Sequence, residues 1–402
     1  MSSSPKPAAG RGRQILLKVG LILALGVVVR DGVSGSWGPL AAGLTAGLGA
    51  LLSLQLTMVW VLVLGRFSGF AVTAVELGYG RRLLSARIGG VPVNVRRLPF
   101  PFVSVVWAPI RRPGLRWRLV VSALLQLAAQ IGTGLWLLRS APAWAFPGAM
   151  AFLVFALVML ATFNLPLTIG WVLFRMPFLP AEALTTYALR PGEELAARAL
   201  RDGRVEDARA ALERVADDGA PGFQSHLVHA GVDLAEGRYT EAAVEVNRAL
   251  EAGPHPRYAA VAVGLRTASL VGAAETGTLP ATQAVPWLGQ SVGLLRTWSP
   301  MLLRSLPADA DLALLENRRE EAVRLAGKAA GRTVDRFWEA HAACSHAAAL
   351  ASVGRPEQAR AELDRARRAM PGLARIALVE ARIGLNVIEV DDPRESVGPA
   401  TS

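Results

Sequence analysis

Few side chains in this 402-residue chain are placed to do chemistry. His226 and His229 stand three residues apart, and His341, Cys344 and His346 form a second such group. On a helix, residues three apart share a face, and paired histidines on one face suit a zinc ion. A tetrahedral site needs four ligands, or three and a water. Neither pair is completed by acids at metal-ligating spacing, so both read as ordinary positions on helices. Cys344 is the single cysteine, which excludes an internal disulfide framework. It reads as a small packing residue. No phosphate-cradling loop and no dinucleotide fingerprint occurs. The run "GLTAGLG", Gly43–Gly49, lies inside an apolar stretch, where glycines let helices approach. No cofactor is expected.

The elements that would position these residues divide into two halves. Up to Pro180 there are 17 Lys and Arg against two acids, Asp31 and Glu76, and beyond it 26 against 30. The basic excess therefore belongs to the apolar half and is no argument for nucleic acid, which is not expected as a partner. Four apolar spans stand out at about 15–29, 39–64, 119–138 and 148–174. A helix rises about 1.5 Å per residue and needs about 20 residues to cross the hydrocarbon of a bilayer. The last three spans meet that length. The first is short and carries Lys18, and a signal peptide is its rival reading.

Arginines orient the spans. Lys6, Arg11 and Arg13 precede the first, and ten arginines lie from Arg66 to Arg118 between the second and third. The other two connections hold only Arg30 and Arg139. By the positive-inside rule the chain is an integral protein of the cell membrane with both termini cytoplasmic. The segment 66–118 is then a cytoplasmic-side insertion. Its stretch "GGVPVNVRRLPFPFVSVVW" alternates and is rich in Val and Pro, which predicts a short β-hairpin.

The second half carries a repeated phrase: "GRVEDARAAL" from Gly203, "GRYTEAAVEV" from Gly237, "NRREEAVRLA" from Asn317 and "GRPEQARAEL" from Gly354. Gly203 and Gly237 are 34 residues apart, as are Ala208 and Ala242. Glycine would close a tight turn between two helices, and the small alanine, at Ala359 in the last copy, would let them pack closely. This half resembles tetratricopeptide repeats, whose period is 34 residues. Such repeats form a concave surface for a partner; the alternative is a plain helical bundle.

A further resemblance lies in the first half. Gly69, then "FAVTAVELGYG" with Gly78 and Gly80, "RRLLSARIGG" and "VPVNVRRLP" follow one another in order. Later, "TFNLPLTIGWVLF" contains Asn164 and Pro166 on the fourth span. This order resembles the region after the catalytic helix of site-2 proteases, the intramembrane zinc metalloproteases, over roughly residues 40–174. The resemblance implies a zinc held by HExxH and an Asp. Counting back from Gly69 puts HExxH at "TMVWV", so Thr57, Met58 and Val61 stand where the histidines and the general base would be. A rival register, "VELGY", keeps only Glu76, read as a surface carboxylate near Arg81 and Arg82. No His or Cys precedes Pro180, no Asp follows Asn164 and Pro166 in the span, and the family's L-P-x-G-G turn is "LPFPF". The resemblance thus implies a degenerate member without catalytic or metal-binding residues.

The expected architecture is an all-α membrane protein. A basic N-terminus, 1–14, leads into a site-2-protease-like membrane domain, 15–180, with four transmembrane helices and the short β-hairpin insertion. A cytoplasmic α-helical, tetratricopeptide-like domain, 181–388, and an acidic disordered tail, 389–402, follow. The expected function is that of a non-enzymatic scaffold or adaptor, a pseudoprotease that recruits a protein partner at the cytoplasmic membrane face and contacts membrane lipid. No residue is assigned to binding. The alternatives are an active intramembrane metalloprotease, which the histidine content opposes, and a transporter or channel subunit. The latter expects ionisable residues inside the spans, and spans two to four have none.

Overall fold

A computed structural model describes residues 39–162, 165–180, 184–215, 219–252, 255–333 and 335–390. The expected basic N-terminus, the expected first span, Asn164 and the part of the expected tail beyond residue 390 lie outside the described residues. The protein is mostly helical with one small sheet, and it divides into two compact units. Residues up to Ser68 and Arg116–Leu179 form one; Gly69–Leu115 and the chain from Pro180 onward form the other.

The first unit contains α1 (Pro39–Ser68), α2 (Leu115–Ser140, of which Leu115 belongs to the other unit), α3 (Phe146–Leu160) and α4 (Ile169–Phe174). Among the described residues, α1 and α2 are the two helices long and apolar enough to cross a membrane. The expected fourth span, 148–174, is not one helix. It stops at Leu160 and restarts at Ile169. Pro166 lacks a donor and disfavours helix in the residue before it. Leu167 takes a left-handed φ of 64°. Thr168 then caps α4, its hydroxyl accepting from the Trp171 backbone N–H. A charge-free count of residues is blind to such a break.

Glycines set the closest approach in this unit. A Cβ on Gly49 would lie 1.9 Å from the carbonyl oxygen of Gly148, so α1 and α3 meet backbone to backbone there. Gly43 and Gly47 of the same run have open space around them. Polar side chains join α1 to α2. The Ser68 hydroxyl donates to that of Ser122 at 2.6 Å, and Gln130 Nε2 donates to Thr57 Oγ1 at 2.7 Å.

In the second unit, β1 (Phe70–Ile88) and β2 (Val91–Pro109) are far longer than the short hairpin expected. Gly89 and Gly90, with φ of 57° and 79°, provide the positive φ that a two-residue turn needs. The strands fold over on themselves. Val75, Glu76 and Leu77 pair with Val105, Ser104 and Val103 in the antiparallel sense. They also pair with Val93, Asn94 and Val95 in the parallel sense. That places the middle of β1 at the centre of the sheet, flanked on both sides by β2.

Helices α5 (Glu193–Arg201) to α16 (Arg375–Val390) follow. They are paired: α5 with α6 (Val205–Glu213), α7 (Phe223–Ala235) with α8 (Tyr239–Glu251), α9 (Pro256–Glu275) with α10 (Ala281–Trp298). After the short α11 (Pro300–Leu303) come α12 (Ala308–Leu315) with α13 (Arg319–Ala330), and α14 (Arg336–Ser352) with α15 (Pro356–Ala369). The four copies of the sequence phrase fall at four turns built alike. Gly203, Gly237, Asn317 and Gly354 have φ of 79°, 79°, 61° and 72°. Glycine, and next to it asparagine, tolerates that region best. The following arginine N–H bonds five residues back: Arg204 to Ala199, Arg238 to Asp233, Arg318 to Ala313 and Arg355 to Leu350, at 2.8–3.0 Å. This is the six-to-one bond that closes a helix on a left-handed residue. Ala208, Ala242, Ala322 and Ala359 each lie four residues beyond that arginine or its equivalent and are fully buried.

Candidate functional site

The sheet is seated against the first helices of the pairs by backbone and arginine contacts. Leu189 N–H donates to the Pro109 carbonyl and accepts from Arg111 N–H through its own carbonyl, both at 2.8 Å. Arg111 also donates to the Ala220 carbonyl at 2.7 Å, and Arg198 Nε to the Val72 carbonyl at 2.9 Å. Arg96 reaches the Thr333 carbonyl, and Arg87 pairs with Asp202.

Glu76 is held inside this assembly. It was expected on the surface near Arg81 and Arg82, and the structure buries it instead. Strand alternation in the doubly paired centre of the sheet turns Glu76, Asn94 and Arg96 to one face. Asn94 Nδ2 donates to Glu76 at 2.7 Å and Arg96 Nε at 2.9 Å. Burial holds the carboxyl above its ordinary value despite both donors. Glu76→Gln keeps the shape and one acceptor but removes the charge that Arg96 faces. It should cost about 1.5–3 kcal/mol, the range for a hydrogen bond to a charged group. Thermal unfolding of the full-length protein in detergent measures this, and an unchanged midpoint would contradict the buried pairing.

Between the sheet and the helices lies a half-enclosed cavity of about 260 Å³. Its walls come from β1, β2, α5, α7, α9 and the start of α14. Five aromatic side chains line it: Trp107, Phe223, Tyr258, Phe337 and Trp338. Val261, partly exposed, forms part of the mouth. Arg201 stands at the edge with its side chain about one-third exposed and donates to Asp335 Oδ2 at 3.3 Å. Asp335 is fully used: its other oxygen caps α14 through the Trp338 N–H at 2.9 Å. Phe223, Phe337 and Trp338 are among the first residues of their helices, and Tyr258 is near the start of α9. That placement, an aromatic in the first turn of a first helix, is the sequence signal that could have pointed to them.

A second, wider concavity of about 590 Å³ opens on α7 and α8. Most of its charges pair with one another. Arg209 Nη2 bonds Asp233 at 2.9 Å, Arg238 also pairs with Asp233, and His226 Nδ1 lies 2.7 Å from Glu245. Burial pushes Asp233 up to about 6, with Arg209 opposing. Beneath it, burial would raise Glu193, but hydrogen bonds from His229, Ser225 and Arg190 bring it down to about 2. The stability this carboxylate contributes is present above its ordinary 4.5 and is lost as pH falls toward 2.

The residues singled out for chemistry are dispersed. His226 meets Glu245, whereas His229 meets Arg190 Nη2 at 3.0 Å. His346 approaches Glu362 at 3.3 Å. His341 packs on the rings of Phe337 and Trp338. Burial lowers its pKa to about 3, and burial raises Cys344 to about 12, so neither a charged imidazole nor a thiolate forms near neutral pH. Among the described residues no three His, Cys, Asp or Glu side chains come together as a metal site. Thr57 bonds Gln130, Met58 is partly exposed, and Val61 is buried. Gly69 and Gly78 take φ of 83° and 94°, and a Cβ on Gly69 would meet Leu115 at 2.8 Å. Gly80 lies in β1, and Pro166 in the break between α3 and α4.

Comparison with known proteins gives no match: no protein-family model, curated protein or solved structure is similar to the chain.

Proposed function

We propose that this chain is a non-catalytic membrane adaptor. Its apolar helices anchor it in the cell membrane with both termini cytoplasmic. Its tetratricopeptide-like half recruits a protein partner at the cytoplasmic face. The reading rests on the aromatic-lined cavity of about 260 Å³ between the sheet and the first helices of the pairs. Apolar pockets with few polar groups at the edge are the usual form of a binding site, and paired helices in series present such a face to partners. The resemblance of the first half to site-2 proteases supports a membrane domain that keeps the family's arrangement and lacks its ligands, with Thr57, Met58 and Val61 in the place of HExxH.

The experiment is purification of the full-length protein from its own membranes in mild detergent, followed by mass spectrometry and elemental analysis. The expected result is a protein that co-purifies in stoichiometric amount, with zinc far below one per chain. Stoichiometric zinc, removed by a chelator together with a proteolytic activity, would replace the adaptor with an enzyme.

A further inference from the structure

We infer that the cavity beside Trp107 receives one large aromatic side chain of a partner polypeptide, with a carboxylate next to it in the partner sequence meeting Arg201. This rests on the adaptor reading and deepens it by naming what the partner presents. Size gives the first argument. A cavity of about 260 Å³ holds a single large side chain and excludes a helix. Its walls give the second. Trp107 and Tyr258, both half-buried, and Trp338 line the space, with the buried Phe223 and Phe337 behind them, and rings gain from edge-to-face or offset contact with another ring beyond the area they bury. Anchors of this kind dominate the energetics of protein interfaces.

Charge gives the third. Both carboxylate oxygens of Asp335 are engaged, one by the Trp338 N–H and one by Arg201. Arg201 is the more exposed member of that pair, 30% against 6%, and its guanidinium has five donors. The member of the pair more accessible to an incoming chain is therefore the positive one. Arg198 of the same helix already serves the Val72 carbonyl.

The test uses the full-length protein in lipid nanodiscs and fluorescein-labelled octapeptides of Ser and Thr with a central Trp-Glu, Ala-Glu or Trp-Lys pair. The Trp-Glu peptide should bind at least about tenfold more tightly than either of the others, the scale of one anchor contact. Val261→Trp fills the mouth from a position that is 40% exposed, so the core is untouched. It should bring Trp-Glu binding down to the Ala-Glu level. Val244→Trp, the same change on an exposed position of α8 that lines the wider concavity instead, should leave binding unchanged. Equal binding of the three peptides would overturn the inference. So would displacement of Trp-Glu by dodecanoate at the same site with no preference among the peptides, which would make this a lipid pocket. If Val261→Trp still captures the native partner at full strength, the aromatic anchor is wrong while the adaptor reading stands. If the wild-type protein captures no partner, the adaptor reading itself fails.

Discussion

Arg375→Met should destabilise the helical unit by about 3–5 kcal/mol, the cost of leaving buried charges without their partner. Arg375 is the first residue of α16 and is 1% exposed. Its Nε and Nη2 donate to the two oxygens of Glu275 at 2.8 Å each, Nη2 also reaches Asp311 at 3.1 Å, and Nη1 donates to Ser345 at 2.8 Å. Glu275 and Asp311 are themselves buried at 4% and 3% side-chain exposure. One cation therefore ties α16 to α9, α12 and α14. Burial already holds Asp311 above its ordinary 3.8, with Arg375 opposing. Without Arg375 its pKa rises further. The folded state then takes up a proton more readily than the unfolded chain, so the loss should be largest near neutral pH and shrink as pH falls. Urea unfolding of the full-length protein at pH 7 and pH 5 measures both. Arg375→Met combined with Glu275→Gln and Asp311→Asn should recover much of the loss, since the buried charge is gone. An unchanged midpoint in the single variant would show that the cluster is not buried in the folded protein.

The second large effect is overpacking. Ala242 has no exposed surface and sits on α8, four residues past Arg238. Space nearby is already tight: a Cβ on Gly272 of α9 would lie 2.2 Å from the ring of Tyr239 on α8. Ala242→Trp should cost about 3 kcal/mol or more, at or above the top of the usual range for enlarging a packed residue. Helix pairs in series depend on their neighbours, so the damage should spread from α8 to α7 and α9. Melting should fall and partner capture should be lost, while insertion into the membrane stays normal. Ala242→Ser, nearly the same volume, should behave close to wild type. A variant Ala242→Trp that melts like wild type would mean that this alanine is not at a close helix contact.

What could be read from the residues follows from how local each feature is. The four turns were legible because a left-handed Gly or Asn, an arginine and an alanine five residues on are contiguous in the chain. The hairpin was legible as an element from its Val and Pro alternation. Its double pairing was not, because the contact of Glu76 with Asn94 joins residues 18 apart. Counting charges found α1 and α2 but overran the break at Pro166, where a proline and a threonine cap outweigh an apolar composition. Ser53, Gln126 and Gln130 are buried in the first unit, yet each is one polar residue in an apolar run. The cavity was the hardest to foresee. Its aromatic residues come from β2, α7, α9 and α14, and only the fold assembles them.

The most direct test of recruitment through this cavity is ultraviolet crosslinking in living cells from a benzoylphenylalanine placed at position 261, compared with the same group at position 244. One protein adduct is expected from position 261, none from position 244, and loss of the adduct in the Ala242→Trp background. Adducts with lipid alone, or the same protein adduct from both positions, would contradict recruitment through this cavity.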